Sequence, residues 1–186
     1  MPLYGGTVLR GLTGSSETPH NQGGRTIFVL IRAVTYAAVF IGFVLIFLPA
    51  RVLEWSGVGA PPRIGGVQVV GALMTLAGGA LVISCVLAFA FIGRGTPAPF
   101  DPPRRLVVRG PYRWVRNPMY IGAALALAGA AVFYQSLALA GFVAAFLVAT
   151  ILFVWLYEEP VLRRMFGADY DAYCARVGRW WPRRPE

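Results

Sequence analysis

"NPMYIGAALALAGAAVFYQSLALAGFVAAFLVATILFVWLYEEP", residues 117–160, holds two apolar runs joined by the short polar link Tyr134-Gln135-Ser136 and closed by two adjacent carboxylates. The runs from Met119 to about Phe133 and from Leu137 to about Tyr157 read as helices, and so short a link makes them an antiparallel hairpin. The first arm, about 15 residues or roughly 22 Å at 1.5 Å per residue, is short against a hydrocarbon core of about 30 Å. It is therefore expected to begin below the interface or to turn helical before Met119. Asn117-Pro118 suits such a start, with Asn as N-cap and Pro at the first helical position.

Working outward, 57% of the 186 residues are hydrophobic and only 13% charged, and the apolar residues gather into long runs. That pattern predicts an all-α integral membrane protein with about four transmembrane helices. The stretch from Thr26 to about Leu48 is too long for a signal-peptide core and reads as the first span, ended by Pro49. Arg32, early in it, is placed to snorkel to the near interface. A Gly/Pro link leads to a second span from about Gly65 to Ile92, whose Gly71, Ala72, Gly78, Gly79 and Ala80 permit close helix contact in lipid. Three regions follow: a flexible N-terminal tail over 1–25, two packing helices over 26–92, and a functional core over 93–186.

Several chemistries are disfavoured. Cys85 and Cys174 have neither disulfide nor metal-ligand spacing, so no metal is expected. The only histidine, His20, lies in the polar leader, which argues against histidine catalysis. The net charge of +9 comes from 17 arginines and no lysine. These flank membrane segments and form no separate basic domain, which points to membrane lipids or an anionic ligand and away from nucleic acid. No protein partner is inferable.

Residues 93–118 form a Gly-, Pro- and Arg-rich loop that cannot be one continuous helix. The tail from Glu158 carries one apolar stripe, Leu162, Phe166, Tyr170, Tyr173 and Val177, on a helix broken near Gly167 with Asp169 as a new N-cap. Arg94, Arg104, Arg105, Arg109, Arg113 and Arg116 in the loop, and six more arginines after Glu159, place loop and tail in the cytoplasm, with both termini. The 134–136 link faces away, on the side of Arg51 and Arg63. The polar groups of loop, last helix and tail thus converge on one face. A pocket there would be open to a soluble cofactor and, between helices, to a lipophilic substrate.

Glu158 and Glu159 read as a pair at a helix C-terminus, where the helix dipole opposes them and something positive must compensate. Pairing with loop or tail arginines is the simpler reading. Holding a cationic or hydroxyl-bearing ligand is the functional one. Adjacent residues point about 100° apart, so at most one faces a pocket. Gly93-x-Gly95 would allow close backbone approach but is a weak signal, more often a turn.

The stretch "GPYRWVRNPMYIG", followed after one hairpin by "EEPVLRRMFGADYDAYCARVGRWWP", resembles the C-terminal core of the isoprenylcysteine carboxyl methyltransferase and phospholipid methyltransferase superfamily. The resemblance covers roughly residues 93–182. It implies S-adenosyl-L-methionine bound under the loop and tail. On the matching positions it implies cofactor contacts at Gly93, Gly95, Gly110, Tyr112, Arg116, Asn117, Pro118, Tyr120, Glu158 and Glu159. Asn117 stands where family members commonly show histidine, so a contact there comes from the Asn amide or is absent. Tyr112, Trp114 and Tyr120 are candidates to stack on adenine or meet the sulfonium, and Trp114 equally suits an interfacial aromatic belt. For catalysis the resemblance points to Arg179, in "VGRWWP", to hold an acceptor carboxylate, and to Glu159 as a base for an amine acceptor.

The expected activity is methyl transfer to a lipophilic membrane acceptor, carboxylate or amine, at the cytoplasmic face of a bacterial inner membrane, the all-arginine usage pointing to a GC-rich source. Two other readings stand beside it: an NADPH-dependent membrane reductase of sterol-reductase-like architecture, and a non-enzymatic lipid-binding protein whose arginines hold headgroups.

Overall fold

The computed structural model describes residues 38–89 and 106–183, together with Thr35 and Phe91. The leader with His20, the beginning of the first span with Arg32, and Gly93, Arg94, Gly95, Arg104 and Arg105 lie outside the described residues.

Five helices account for most of the described chain. Helix α1 is Ala38–Trp55, α2 Gly66–Ala88, α3 Pro118–Tyr134, α4 Leu137–Phe166 and α5 Ala168–Arg176. Three of them, α1, α2 and α4, are long and apolar enough to cross a membrane; α3 is shorter. Its 17 residues reach about 25 Å, and it begins at Pro118, the first helical position expected from Asn117-Pro118. The outward faces carry exposed large apolar side chains such as Phe40, Leu73, Leu76, Ile83, Val148 and Ile151, the pattern of a surface solvated by acyl chains. The chain is an all-α integral membrane protein.

Two expectations about helix ends are corrected. Pro49 does not end the first helix, which continues to Trp55. Likewise the last span does not stop near Tyr157 but runs on through Pro160 to Phe166. Both prolines follow a π-helical turn, Phe43–Phe47 and Val154–Glu158. A proline ring clashes with the carbonyl four residues back and supplies no N–H. In each case the residue just before it, Leu48 or Glu159, donates its N–H five residues back, to Phe43 or Val154. The widened turn lets the helix carry the proline without breaking.

The bundle is organised by α2 and α3, whose small residues meet face to face. A side chain at Gly71 would sit 2.5 Å from the Phe133 nitrogen, and one at Gly129 2.5 Å from the Thr75 nitrogen. Gly78 is backed just as closely by the backbone of Gly122 and Ala126. Only glycine permits backbones this near, and in lipid such van der Waals contact drives association. Thr75 ties the seam by donating its hydroxyl to Gly71 O at 3.0 Å and, across the interface, to Ala126 O at 3.3 Å. Gly79, next to Gly78, has open space around it and faces away from the seam.

The hairpin turn closes as the link predicted. Gln135 takes the left-handed conformation at φ 50°, and the Ser136 hydroxyl caps α4 by accepting from Leu139 N–H at 3.2 Å. Gly167, at φ 49°, separates α4 from α5 and itself occupies the N-cap position; Asp169 lies inside the first turn and is not the cap.

Candidate active site

At 1.5 Å per residue the 30-residue α4 is about 45 Å long, so its last turns project beyond the hydrocarbon core. This projecting end meets the loop before α3 and the tail after α5. The tail's stripe folds back as expected: Tyr170, Tyr173 and Val177 form a buried cluster with Leu162, Phe166, Cys174 and the loop residue Leu106. Beyond it the chain runs alongside the loop, Val115 bridging Gly178 in parallel and Arg116 N–H donating to Gly178 O at 2.9 Å. The space beside Gly178 is filled by the Trp181 carbonyl, so no larger residue fits there.

Glu158 and Glu159 stand at the junction of the π turn and the final α-helical turns. They are inside a continuous helix and not at its C-terminus, so the dipole argument from sequence does not apply. The two part company. Glu159, 8% exposed, accepts Arg179 Nε–H on Oε1 at 2.7 Å and Nη2–H on Oε2 at 2.6 Å, and Arg116 Nη1 lies 3.1 Å from Oε1. Such fork-to-fork pairing fixes both guanidinium plane and carboxylate. Hydrogen bonding to Glu159 raises the Arg179 pKa further. Glu158 instead reaches α3, where Tyr120 donates its hydroxyl to Oε2 at 2.9 Å. Among the described residues no cation pairs with Glu158.

Arg116 is the junction of loop, helix and tail. Its Nη1–H also points to Cys174 Sγ at 2.6 Å, and its side chain is only 12% exposed. Its Nε, buried, is the one described side-chain polar atom of that kind with no hydrogen-bond partner. A buried guanidinium N–H without an acceptor is costly.

The remaining sequence candidates are distributed unequally. Asn117 precedes α3, but its side chain does not cap it; Nδ2 donates to Arg179 O at 3.2 Å, another clamp between loop and tail. Pro118 is buried at the first helical position. Gly110, at φ 62°, opens the 3₁₀ turn Gly110–Arg113 that carries Tyr112. The Tyr112 ring packs into the core with Cys85, Ala88 and edge-on to Phe89, so it anchors the turn on α2. Burial pushes its phenol well above the usual tyrosine range. Its carbonyl accepts the Tyr173 hydroxyl at 2.6 Å. Trp114 is 57% exposed, stacked under Arg113 at 4.8 Å, in keeping with an interfacial position. The structure thus brings Arg116, Asn117, Tyr120, Glu158, Glu159 and Arg179 to one end of the bundle.

Sequence reasoning missed Cys174, Tyr173 as a hydrogen-bond donor, and Gly178. Cys174 lacks disulfide or metal-ligand spacing, so nothing but its place directly after Tyr173 on the tail helix signals it, and Gly178 lies inside the "VGRWWP" motif.

No curated protein and no solved structure matches the chain. The phospholipid methyltransferase family model matches residues 67–169, which takes in α2, the loop, the hairpin and both carboxylates, while Gly178 and Arg179 lie past its end. Because that match spans more than half of the 186 residues, the chain belongs to the phospholipid methyltransferase family, and its chemistry is membrane methyl transfer.

Proposed function

We propose that the chain uses S-adenosylmethionine to methylate a lipophilic amine, at the end of the bundle where α4 meets loop and tail, and that this end is cytoplasmic. The observation that carries this reading is the pairing pattern: among the described residues Glu158 is a carboxylate without a cation, and close by in the fold Arg116 keeps a buried N–H without an acceptor. The N–H suits the methionyl carboxylate of the cofactor, and the unpaired carboxylate is left to serve the acceptor amine. When bound, the cofactor supplies an electrophilic methyl group on a sulfonium. The residues of the chain hold and orient; Arg116 Nε meets the methionyl carboxylate, and Glu158 offers negative charge.

The choice of an amine over a carboxylate rests on Arg179. Its guanidinium is committed to both oxygens of Glu159, and the free Nε of Arg116 is assigned to the methionyl carboxylate, so among the described residues of this cluster no arginine is left for an acceptor carboxylate. Glu159, held on both oxygens, is a poor base and acts as a positioning residue. An amine acceptor must lose a proton, and Glu158, hydrogen-bonded by Tyr120, is the group able to take it. The six arginines after Glu159 and those of the loop support the cytoplasmic assignment. A lipophilic acceptor reaches the site laterally, between helices.

The test is methyl transfer from labelled S-adenosylmethionine by membranes containing the chain, offered an aminophospholipid or a prenylated cysteine carboxylate. Label in the amine lipid, lost in Glu158→Gln, is expected. Label in the carboxylate, or an unchanged rate in Glu158→Gln, would overturn the acceptor and base assignment.

A further inference from the structure

The opposite end of the bundle holds a second feature that methyl transfer does not use. Between the link after α1 and the α3–α4 turn lies an open cleft of about 500 Å³, lined by Gly59, Pro61, Arg63, Gln68, Tyr134 and Gln135 among others. Most of α3, roughly 21 Å along its axis, separates it from Tyr120 and the Glu158 that Tyr120 holds.

Its chemistry is one-sided. No acidic residue lines it. Glu54, in the last turn of α1, is already paired with Arg51, whose guanidinium also sits over Trp55 at 5.7 Å. Arg63 has no ion-pair partner among the described residues. Gln68 is only 7% exposed, and its Oε1 is occupied by Gly65 N–H at 3.0 Å, so what it presents to the cleft is its amide N–H donors. Tyr134 adds a hydroxyl and Gln135 a second amide. The cleft also opens at the N-terminus of α2, whose dipole favours an anion. At the end of α3 the opposing carbonyls of Ala131 and Val132 are satisfied within the turn by Gln135 and Ser136 N–H.

We infer that this cleft binds a phosphate group, with Arg63 as its cation and Gln68 and Tyr134 as neutral donors. It lies where two membrane helices end, the depth at which lipid phosphates sit, and its volume admits a headgroup. The phosphate comes either from a phospholipid of that leaflet or from free phosphate. The inference is independent of the methyltransferase reading.

The experiment is calorimetric titration of the full chain in neutral detergent at low salt. The probes are a short-chain phosphatidylglycerol, which carries no amine to be methylated, the matching diglyceride without phosphate, and inorganic phosphate. Saturable binding of the phosphatidylglycerol, weakened roughly tenfold in Arg63→Gln and unchanged in Arg51→Gln, is expected for loss of one charge-assisted contact. Arg63 is exposed, so its replacement leaves the fold intact, and retention of the normal thermal transition confirms it. Displacement of the lipid by equimolar inorganic phosphate identifies a free-phosphate site, and its failure to displace assigns the lipid headgroup. No binding, equal binding of the diglyceride, or undiminished binding by Arg63→Gln overturns the inference.

Discussion

Arg179 grips Glu159 through two parallel hydrogen bonds, Nε–H to Oε1 at 2.7 Å and Nη2–H to Oε2 at 2.6 Å, joining residues 20 apart in sequence. That grip, with Asn117 on the Arg179 carbonyl, fastens the tail across the mouth of α3.

Breaking the grip from the carboxylate side leaves Arg116 and Arg179 together without their anion. Glu159→Gln is expected to cost about 2–3 kcal/mol, below the roughly 3–5 kcal/mol of a fully buried pair because Arg179 is partly exposed. Arg179→Lys, which keeps charge but loses the fork, falls in between. Thermal unfolding in detergent measures both; equal transitions for the wild type and Glu159→Gln would contradict the clamp.

The α2–α3 seam makes opposite predictions for two neighbouring glycines. Gly78→Leu must push the α3 backbone away and is expected to destabilise the bundle by several kcal/mol, comparable to severe overpacking. Gly79→Leu faces open space and is expected to be neutral or slightly stabilising through helix propensity. Detergent thermal stability of the two variants, compared side by side, checks the register.

Tyr173 holds the tail on the Tyr112 carbonyl, and Tyr173→Phe is expected to lose about 1 kcal/mol and to speed proteolysis of the tail. Burial raises the Tyr173 phenol above its ordinary value, so the neutral, donating form is the one the fold favours. Its contribution is therefore complete below the unfolded tyrosine pKa of about 10 and erodes as pH climbs toward the raised folded value. Proteolysis of the tail should accelerate only in that alkaline window.

Tyr120→Phe removes the hydroxyl that orients Glu158. The expected result is a fall in kcat of about tenfold, with a stability loss of about 1–2 kcal/mol from the missing hydrogen bond to a partly buried carboxylate. A kcat equal to wild type, measured with a saturating aminophospholipid, would remove Tyr120 from the account.

The spans were legible because apolar runs of bilayer length have few alternatives, and the Gly-rich face of α2 marked the seam before any contact was seen. The tail stripe was equally readable: Leu162, Phe166, Tyr170, Tyr173 and Val177 share one face at helical spacing, and they cluster. Pro49 misleads because a proline signals a helix end unless a π turn reroutes the preceding N–H, which composition does not announce. The candidate site was legible as a set of residues but not as a set of pairings. Which carboxylate takes the arginines depends on the phase shift that the π turn gives α4, and the role of Cys174 depends on a contact 58 residues away.

The most direct test is calorimetric titration of the detergent-purified chain with S-adenosylhomocysteine and, separately, with NADPH. The account predicts saturable binding of S-adenosylhomocysteine alone, weakened at least tenfold in Arg116→Gln, which removes the buried Nε donor. Binding of NADPH alone, or of neither ligand by protein with an intact thermal transition, would contradict it.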